Sequence, residues 1–385
     1  MKRTFYLHQI AKMFNVHPIS ALLGPRQCGK TTLAKMYASE KEQVHFFDLE
    51  DPTDLYRLQT PKLALANLTG LVVIDEIQKI PDLFSYLRVL VDNNPNVQLL
   101  ILGSASRDLI RQSSETLAGR IGYIELTPFS LQEVSDQEKL LLYGGFPRAY
   151  LADSWESSVQ WLKSYISTFL ERDIPNLGIQ IPPEMLRRFW LMLAHYHGGI
   201  FNASEIARSL QISGPSTRRY LDILTGTFMV RQLSPWFANI KKRQVKQPKI
   251  YFKDSGIYHA LVGVTTKEAL NTYAKLGSSW EGFALEEIIR VHRAAPEECY
   301  FWATHSGAEL DLLIFQEGKK HGFEFKYSDV PRLKASMMTA FEDLNLDSLT
   351  VIYPGDKNFR LSESHSSIIA CGLSLYVENK IGEAE

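Results

Sequence analysis

Gly24-Pro25-Arg26-Gln27-Cys28-Gly29-Lys30-Thr31 fits the pattern G-x-x-x-x-G-K-[ST], the P-loop that cradles phosphate. The segment Ile19-Ser20-Ala21-Leu22-Leu23 before it reads as a buried strand. Thr32-Leu33-Ala34-Lys35-Met36-Tyr37-Ala38 after it reads as a helix. Strand, glycine loop and helix in that order separate a phosphate site from a chance match. Glycines let backbone N–H groups turn inward around an anion, and the helix N-terminus adds partial positive charge. Lys30 is placed for the β- and γ-phosphates, and the Thr31 hydroxyl for a magnesium ion. The expected ATP contacts are therefore Gly24, Pro25, Arg26, Gln27, Cys28, Gly29, Lys30, Thr31 and Thr32.

Working outward, strand and helix signals alternate as far as residue 145, which argues for a parallel sheet covered by helices on both faces. Val44-His45-Phe46-Phe47-Asp48-Leu49 is one predicted strand. Leu71-Val72-Val73-Ile74-Asp75-Glu76 is another, and it ends in two carboxylates. That ending resembles the Walker B signature of AAA+ proteins. The resemblance assigns Asp75 to magnesium and Glu76 to the attacking water, which favours hydrolysis over phosphorylation of a small molecule. Val97-Gln98-Leu99-Leu100-Ile101-Leu102 then runs into Gly103-Ser104-Ala105-Ser106, similar to the sensor strand that lies between the two Walker strands. Ser104 is the candidate γ-phosphate sensor, although a serine after glycine also suits an ordinary turn. Arg120, before the strand Ile121-Gly122-Tyr123-Ile124-Glu125-Leu126, suits either a transition-state arginine or a surface ion pair.

The Pro-Arg-Gln-x-Gly-Lys-Thr loop, the Ile-Asp-Glu-Ile-Gln continuation and Leu117-Ala118-Gly119-Arg120 resemble a prokaryotic family of AAA-type ATPases. Gly144-Gly145-Phe146-Pro147 and Leu170-Glu171-Arg172-Asp173-Ile174 share the likeness. Members join the ATPase to a C-terminal domain resembling the PD-(D/E)XK nuclease fold. The resemblance implies an AAA+-like P-loop NTPase core and spans most of the chain.

In the middle, apolar residues at helical spacing from Trp155 to Leu170 predict a packed helix of a lid. Asn202-Ala203-Ser204-Glu205 offers a helix cap, opening a helix from Glu205 to Leu210. A turn at Ser213-Gly214-Pro215 leads to a second helix, Ser216 to Leu224, then the strand-like Met229-Val230-Arg231-Gln232-Leu233. Two short helices, a tight turn and strands look like a winged helix-turn-helix. Arg218 and Arg219 lie on its second helix. The basic run from Lys241 to Lys249 suits a wing contacting DNA phosphates or a solvated hairpin used only in packing.

The last stretch carries a second constellation. Glu309-Leu310-Asp311-Leu312-Leu313-Ile314-Phe315 and Gly322-Phe323-Glu324-Phe325-Lys326 read as paired strands about a four-residue turn, Glu317-Gly318-Lys319-Lys320. That turn sets Leu313 opposite Glu324 and Asp311 opposite Lys326. Alternation then puts Asp311, Glu324 and Lys326 on one face, as a PD-(D/E)XK nuclease requires. Two carboxylates would hold a divalent ion that activates water, magnesium suiting an all-oxygen set, with Lys326 beside them. The upstream helix adds Glu281 as a further ligand, with Glu287 the second choice. Leu349-Thr350-Val351-Ile352-Tyr353 and Gly372-Leu373-Ser374-Leu375-Tyr376-Val377 read as later strands. Activity does not follow from such a fold, so a working nuclease and an inactive scaffold both stand.

Length and composition agree with several folded domains: 385 residues, 45% hydrophobic and 22% charged. A net charge of −1 supplies no global attraction to nucleic acid or membrane, so any such contact must be local. Cys28, Cys299 and Cys371 show no metal-ligand or disulfide spacing, which fits a cytoplasmic protein. The start of the chain is too polar for a signal peptide. The expected α/β organisation is an ATPase core over 1–145, a helical lid over 146–200, a winged helix over 201–270 and a nuclease-like α/β domain over 271–385. ATP, Mg2+ and DNA are the expected partners, with no membrane and a homo-oligomer left open. The alternative is a nucleotide-dependent, protein-binding switch.

Overall fold

The computed structural model describes residues 2–104, 117–237, 245–305 and 307–383. Ala105 and Ser106, and Lys241, Lys242 and Arg243 of the basic run, lie outside the described residues. Two compact units divide the chain: residues 1–128 with 226–228, and residues 129–225 with 229–385. Among the described residues no helix is long and apolar enough to cross a membrane.

The first unit is built on five parallel strands: β1 (Ile19–Leu23), β2 (Val44–Asp48), β3 (Gly70–Asp75), β4 (Val97–Gly103) and β5 (Ile121–Glu125). Their order is β2-β3-β4-β1-β5, so β4 lies between the two strands that carry the Walker motifs. The inner strands are nearly continuous apolar runs because both faces are covered. Ala21, Leu23, Val72, Ile74, Leu99 and Ile101 enter one core with the helix Leu83–Asn93. Leu22, Leu71, Val73, Leu100 and Leu102 enter the other with the helices Thr4–Phe14 and Lys30–Ala38. Alternating side chains therefore fill two opposite layers.

The second unit contains a nine-stranded mixed sheet. Its strands are β6 (Gly199–Ile200), β7 (Val230–Pro235), β8 (Lys249–Phe252), β9 (Cys299–Ala303), β10 (Glu309–Gln316), β11 (Lys319–Phe325), β12 (Ser348–Tyr353), β13 (Asn358–Arg360) and β14 (Ile368–Gly372). They lie in the order β13-β14-β12-β11-β10-β9-β7-β8-β6. The parallel pairing of β7 with β9 makes one sheet of the two sets of strands. Leu162, Ile166, Trp190, Ile206 and Leu224 join one helical core, drawn from the helices Trp155–Thr168, Pro183–His195, Ala203–Leu210 and Gly214–Gly226. Asn202 caps its helix as expected, accepting a bond of 3.2 Å from the Glu205 N–H. The helix Leu276–His292 packs on one face of the sheet and Ala335–Leu344 on the other.

Two sequence expectations are corrected here. Residues beyond Gly372 form the helix Leu373–Gly382, not a strand; Leu373 and Val377 are buried, a spacing of four that suits a helix face. The β10–β11 loop is also two residues, not four: Gln316 pairs with Lys319 and Leu313 with Gly322. Glu317 at φ 52° and Gly318 at φ 76° provide the left-handed pair of a tight hairpin turn. The register slips by an even number of residues, so every side chain keeps its face.

Gly318 has nothing within 4 Å of where a Cβ would sit, so a substitution there tests backbone conformation alone. Gly318→Val is expected to cost about 1–2 kcal/mol in urea unfolding. An unchanged midpoint would show that the turn does not need the left-handed conformation.

Candidate functional site

Because all five strands of the first unit are parallel, their carboxyl ends share one edge, where α/β sheets place ligands. β1 delivers the glycine loop there, β3 delivers Asp75 and Glu76, and β4 delivers Ser104. The loop is locked from below. A Cβ on Gly24 would lie 2.2 Å from the Leu126 carbonyl oxygen, and Gly29 caps the following helix at φ 101°. Lys30 is 6% exposed and its Nζ donates to the carbonyls of Gly24 at 2.9 Å and Pro25 at 3.0 Å. Thr31 Oγ1 donates to Asp75 Oδ2 at 2.6 Å, joining the two Walker segments. Burial raises the Asp75 carboxyl, an effect opposed by the Thr31 bond.

Glu76 occupies the left-handed region at φ 54°, a conformation that costs a non-glycine residue about 1–2 kcal/mol. Its N–H donates to Asp75 Oδ1 at 2.9 Å, which turns its own carboxylate toward β4. That carboxylate meets Gln78 Nε2 and accepts from Ser104 Oγ at 3.3 Å, while Gln78 Nε2 also donates to Ser104 at 2.9 Å. Ser104 thus contacts the residue expected to handle water. Arg26 joins the set from within the loop, paired with Glu50 and 3.9 Å from Glu76 Oε1. The sequence reading counted Arg26 as a phosphate contact and did not foresee the Glu76 approach. Cys28 is fully buried, and Thr32 is exposed on the first turn of the helix.

Arg120 is elsewhere. Its backbone carbonyl accepts from Ile19 N–H at the start of β1, the amino edge of the sheet. Its guanidinium holds Asp92 at 2.6 and 3.0 Å. A five-residue strand at ~3.3 Å per residue separates that edge from the loop, so Arg120 does not reach the phosphate site of its own chain.

In the second unit Asp311, Glu324 and Lys326 do converge. Lys326 Nζ lies 2.8 Å from Glu324 Oε2 and 3.7 Å from Asp311 Oδ2. Asp311 Oδ2 also accepts from the Phe325 N–H at 3.1 Å. Pairing with β9 shifts between Leu310 and Leu313, a β-bulge of the kind that re-aims a side chain. Glu281 joins the cluster, accepting from the Tyr251 hydroxyl at 2.6 Å. Glu287 does not: it is buried against Arg290 and the Leu131 N–H. Lys249 is the unforeseen member. Expected as the last cation of a phosphate-contacting wing or of a solvated hairpin, it is 4% exposed. Its Nζ contacts Glu309 and lies 3.5 Å from both Glu281 and Asp311. Nothing in the basic run distinguishes this lysine; its place as the first residue of a strand buried throughout does.

Burial, then the charge of Asp311, pushes the Glu281 carboxyl up to about 7 and the Glu324 carboxyl up to about 8. Burial would lower Lys326, but the fields of Asp311 and Glu324 outweigh it and hold the ammonium above its ordinary range. Carboxylate oxygens suit a hard divalent ion. As they stand, these oxygens are engaged by two lysines, and among the described residues no three His, Cys, Asp or Glu side chains are grouped to hold a metal.

Residues 16–135 match the family described as AAA domain. Residues 134–268 and 276–376 match two domains of unknown function, DUF8612 and DUF4143. The uncharacterized protein Rv2008c of Mycobacterium tuberculosis is 48% identical over 350 residues, covering 90% of this chain and 79% of that one. The uncharacterized protein MJ1544 of Methanocaldococcus jannaschii is 22% identical, covering 89% and 83%. The Walker-type ATPase PABY2304 of Pyrococcus abyssi aligns at a TM-score of 0.49 and 14% identity, covering 68% of this chain and 95% of that one. The chain belongs to the family of Rv2008c, and it carries an AAA-type P-loop ATPase domain.

A carboxyl whose folded value lies above its unfolded one stabilises the fold below the ordinary value of 4.5. That contribution disappears as pH rises through the folded value. In EDTA, the thermal midpoint of the second unit is expected to fall from about pH 5 to about pH 8, and less steeply in Glu324→Gln. Parallel pH profiles for the two proteins would remove Glu324 as the source.

Proposed function

We propose that this chain hydrolyses ATP at the loop of its first unit and engages DNA through its second. The observation carrying the ATP half is the 2.6 Å bond from Thr31 to Asp75, which brings hydroxyl and carboxylate together beside the loop. Both are hard oxygen donors and fit Mg2+. When bound, the ion would neutralise charge on the β- and γ-phosphate oxygens. Lys30 exchanges the carbonyls of Gly24 and Pro25 for phosphate oxygens, bringing its charge to the same place. Glu76 orients the attacking water, with its carboxylate steadied by Gln78 and Ser104; Ser104 then senses the γ-phosphate through the group it steadies. Arg120 could serve only a neighbouring copy, so an arginine finger at this position implies a homo-oligomer.

The DNA half rests on the helices around Asn202 and on exposed cations. The order helix, β6, two helices, β7, β8, with β8 paired to both β6 and β7, supports reading this segment as a winged helix-turn-helix. Arg218 and Arg219 are exposed on its second helix and Lys246 is exposed before β8. Such a set binds phosphates without reading sequence. Asp311, Glu324 and Lys326 on one sheet face support a nuclease-like C-terminal domain. Lys249 favours the second reading, in which that domain is a scaffold and the protein is a nucleotide-dependent switch.

Calorimetry with ATP and Mg2+ is expected to show binding that Lys30→Ala abolishes and Glu76→Gln preserves. Turnover in Glu76→Gln should drop by about a hundredfold or more; normal turnover would remove Glu76 from its role. DNA should accelerate turnover in the native chain and much less in Arg218→Ala/Arg219→Ala. No acceleration favours the protein-binding switch. Plasmid cleavage abolished by Asp311→Ala would establish the nuclease, and intact plasmid the scaffold.

A further inference from the structure

Four carboxylates, from Glu281, Glu309, Asp311 and Glu324, meet two ammonium groups in the second unit. Lysine is almost never buried unless its charge is paired, and Lys249 has three of the four as partners. Its Nζ also lies 5.6 Å from the centre of the Phe301 ring, within the range of a cation–π contact. Phe301 belongs to β9, opposite the bulge that carries Asp311. The backbone of Lys249 is held on both sides, paired with Leu233 of β7 and Ile200 of β6. The ammonium is thus delivered by a strand that cannot slide. It touches carboxylates from the helix Leu276–His292 and from β10, the elements that would supply ligands to a metal.

We propose that Lys249 is the resident cation of this acidic cluster, so that the second unit assembles its carboxylates without a divalent ion. The physical reason is compensation. Carboxylates gathered in a buried place repel one another and need a positive centre, and a tethered ammonium provides one at fixed local concentration. A divalent ion would have to displace it, break its ion pairs and pay its own dehydration. Withdrawal of this one side chain therefore converts the cluster into a cation site. The inference is independent of ATP hydrolysis in the first unit, and it names the residue that decides between nuclease and scaffold.

The test is Mn2+ binding to the full, nucleotide-free chain, followed by electron paramagnetic resonance and by the thermal midpoint. Mn2+ held by the first unit is subtracted by comparison with Asp311→Asn. The native chain is expected to show no Mn2+ uptake that Asp311→Asn removes, and no rise in midpoint with Mn2+. Lys249→Met is expected to melt lower in EDTA, to bind Mn2+ at least roughly tenfold more tightly, and to recover its midpoint with the ion. Adding Asp311→Asn to Lys249→Met should abolish that binding. Asp311-dependent Mn2+ in the native chain overturns the proposal, as does a folded Lys249→Met that binds no more than the native chain. Should Lys249→Met fail to fold with or without Mn2+, the native chain alone decides: Asp311-dependent uptake refutes the proposal and its absence upholds it.

Discussion

Parallel pairing of β1 with β4 and of β4 with β3 is the constraint from which the first unit follows. Parallel neighbours put every carboxyl end on the same edge. A loop after β1, an acid at the end of β3 and a serine after β4 then become neighbours although they are far apart in sequence. The short bond from Thr31 to Asp75 is the local expression of that topology. The same rule disposes of Arg120, since a residue preceding a strand in this sheet stands on the opposite edge. Buried apolar layers on both faces hold the pairing, so the chemistry at the edge depends on packing that takes no part in it.

The two units treat buried acid differently. Asp75 is steadied by a hydroxyl and a main-chain N–H, groups that satisfy a carboxylate without cancelling its charge. Glu281, Asp311 and Glu324 lie against lysines that neutralise part of the charge they gather. Clustered carboxylates and buried ion pairs thus coexist in one place. Side-chain placement and activity are separable there, because carboxylates brought to one face do not by themselves make a catalyst.

The turn between β10 and β11 shows why some errors of sequence reading are harmless. The four residues expected in the loop proved to be two, yet Asp311 and Glu324 kept a common face because strand alternation has a period of two. The run from Gly372 to Val377 shows the opposite case. Its apolar content was legible, but a short apolar run does not reveal its period, and packing against the sheet chose a helix. Lys249 was misread for a related reason. Charge was visible in the run, and burial was not.

Residue order alone determined the phosphate loop, the acidic end of β3, the Asn202 cap and the common face of Asp311 and Glu324. Each depends on contacts within a strand, a turn or one hairpin, where local spacing implies position. Tertiary structure alone decided that Arg120 faces away from the loop, that Arg26 approaches Glu76, and that Lys249 lies among the carboxylates. Those facts depend on which strands neighbour one another and on what they bury. Such pairings join segments far apart in the chain, and no local pattern of charge or hydrophobicity encodes them.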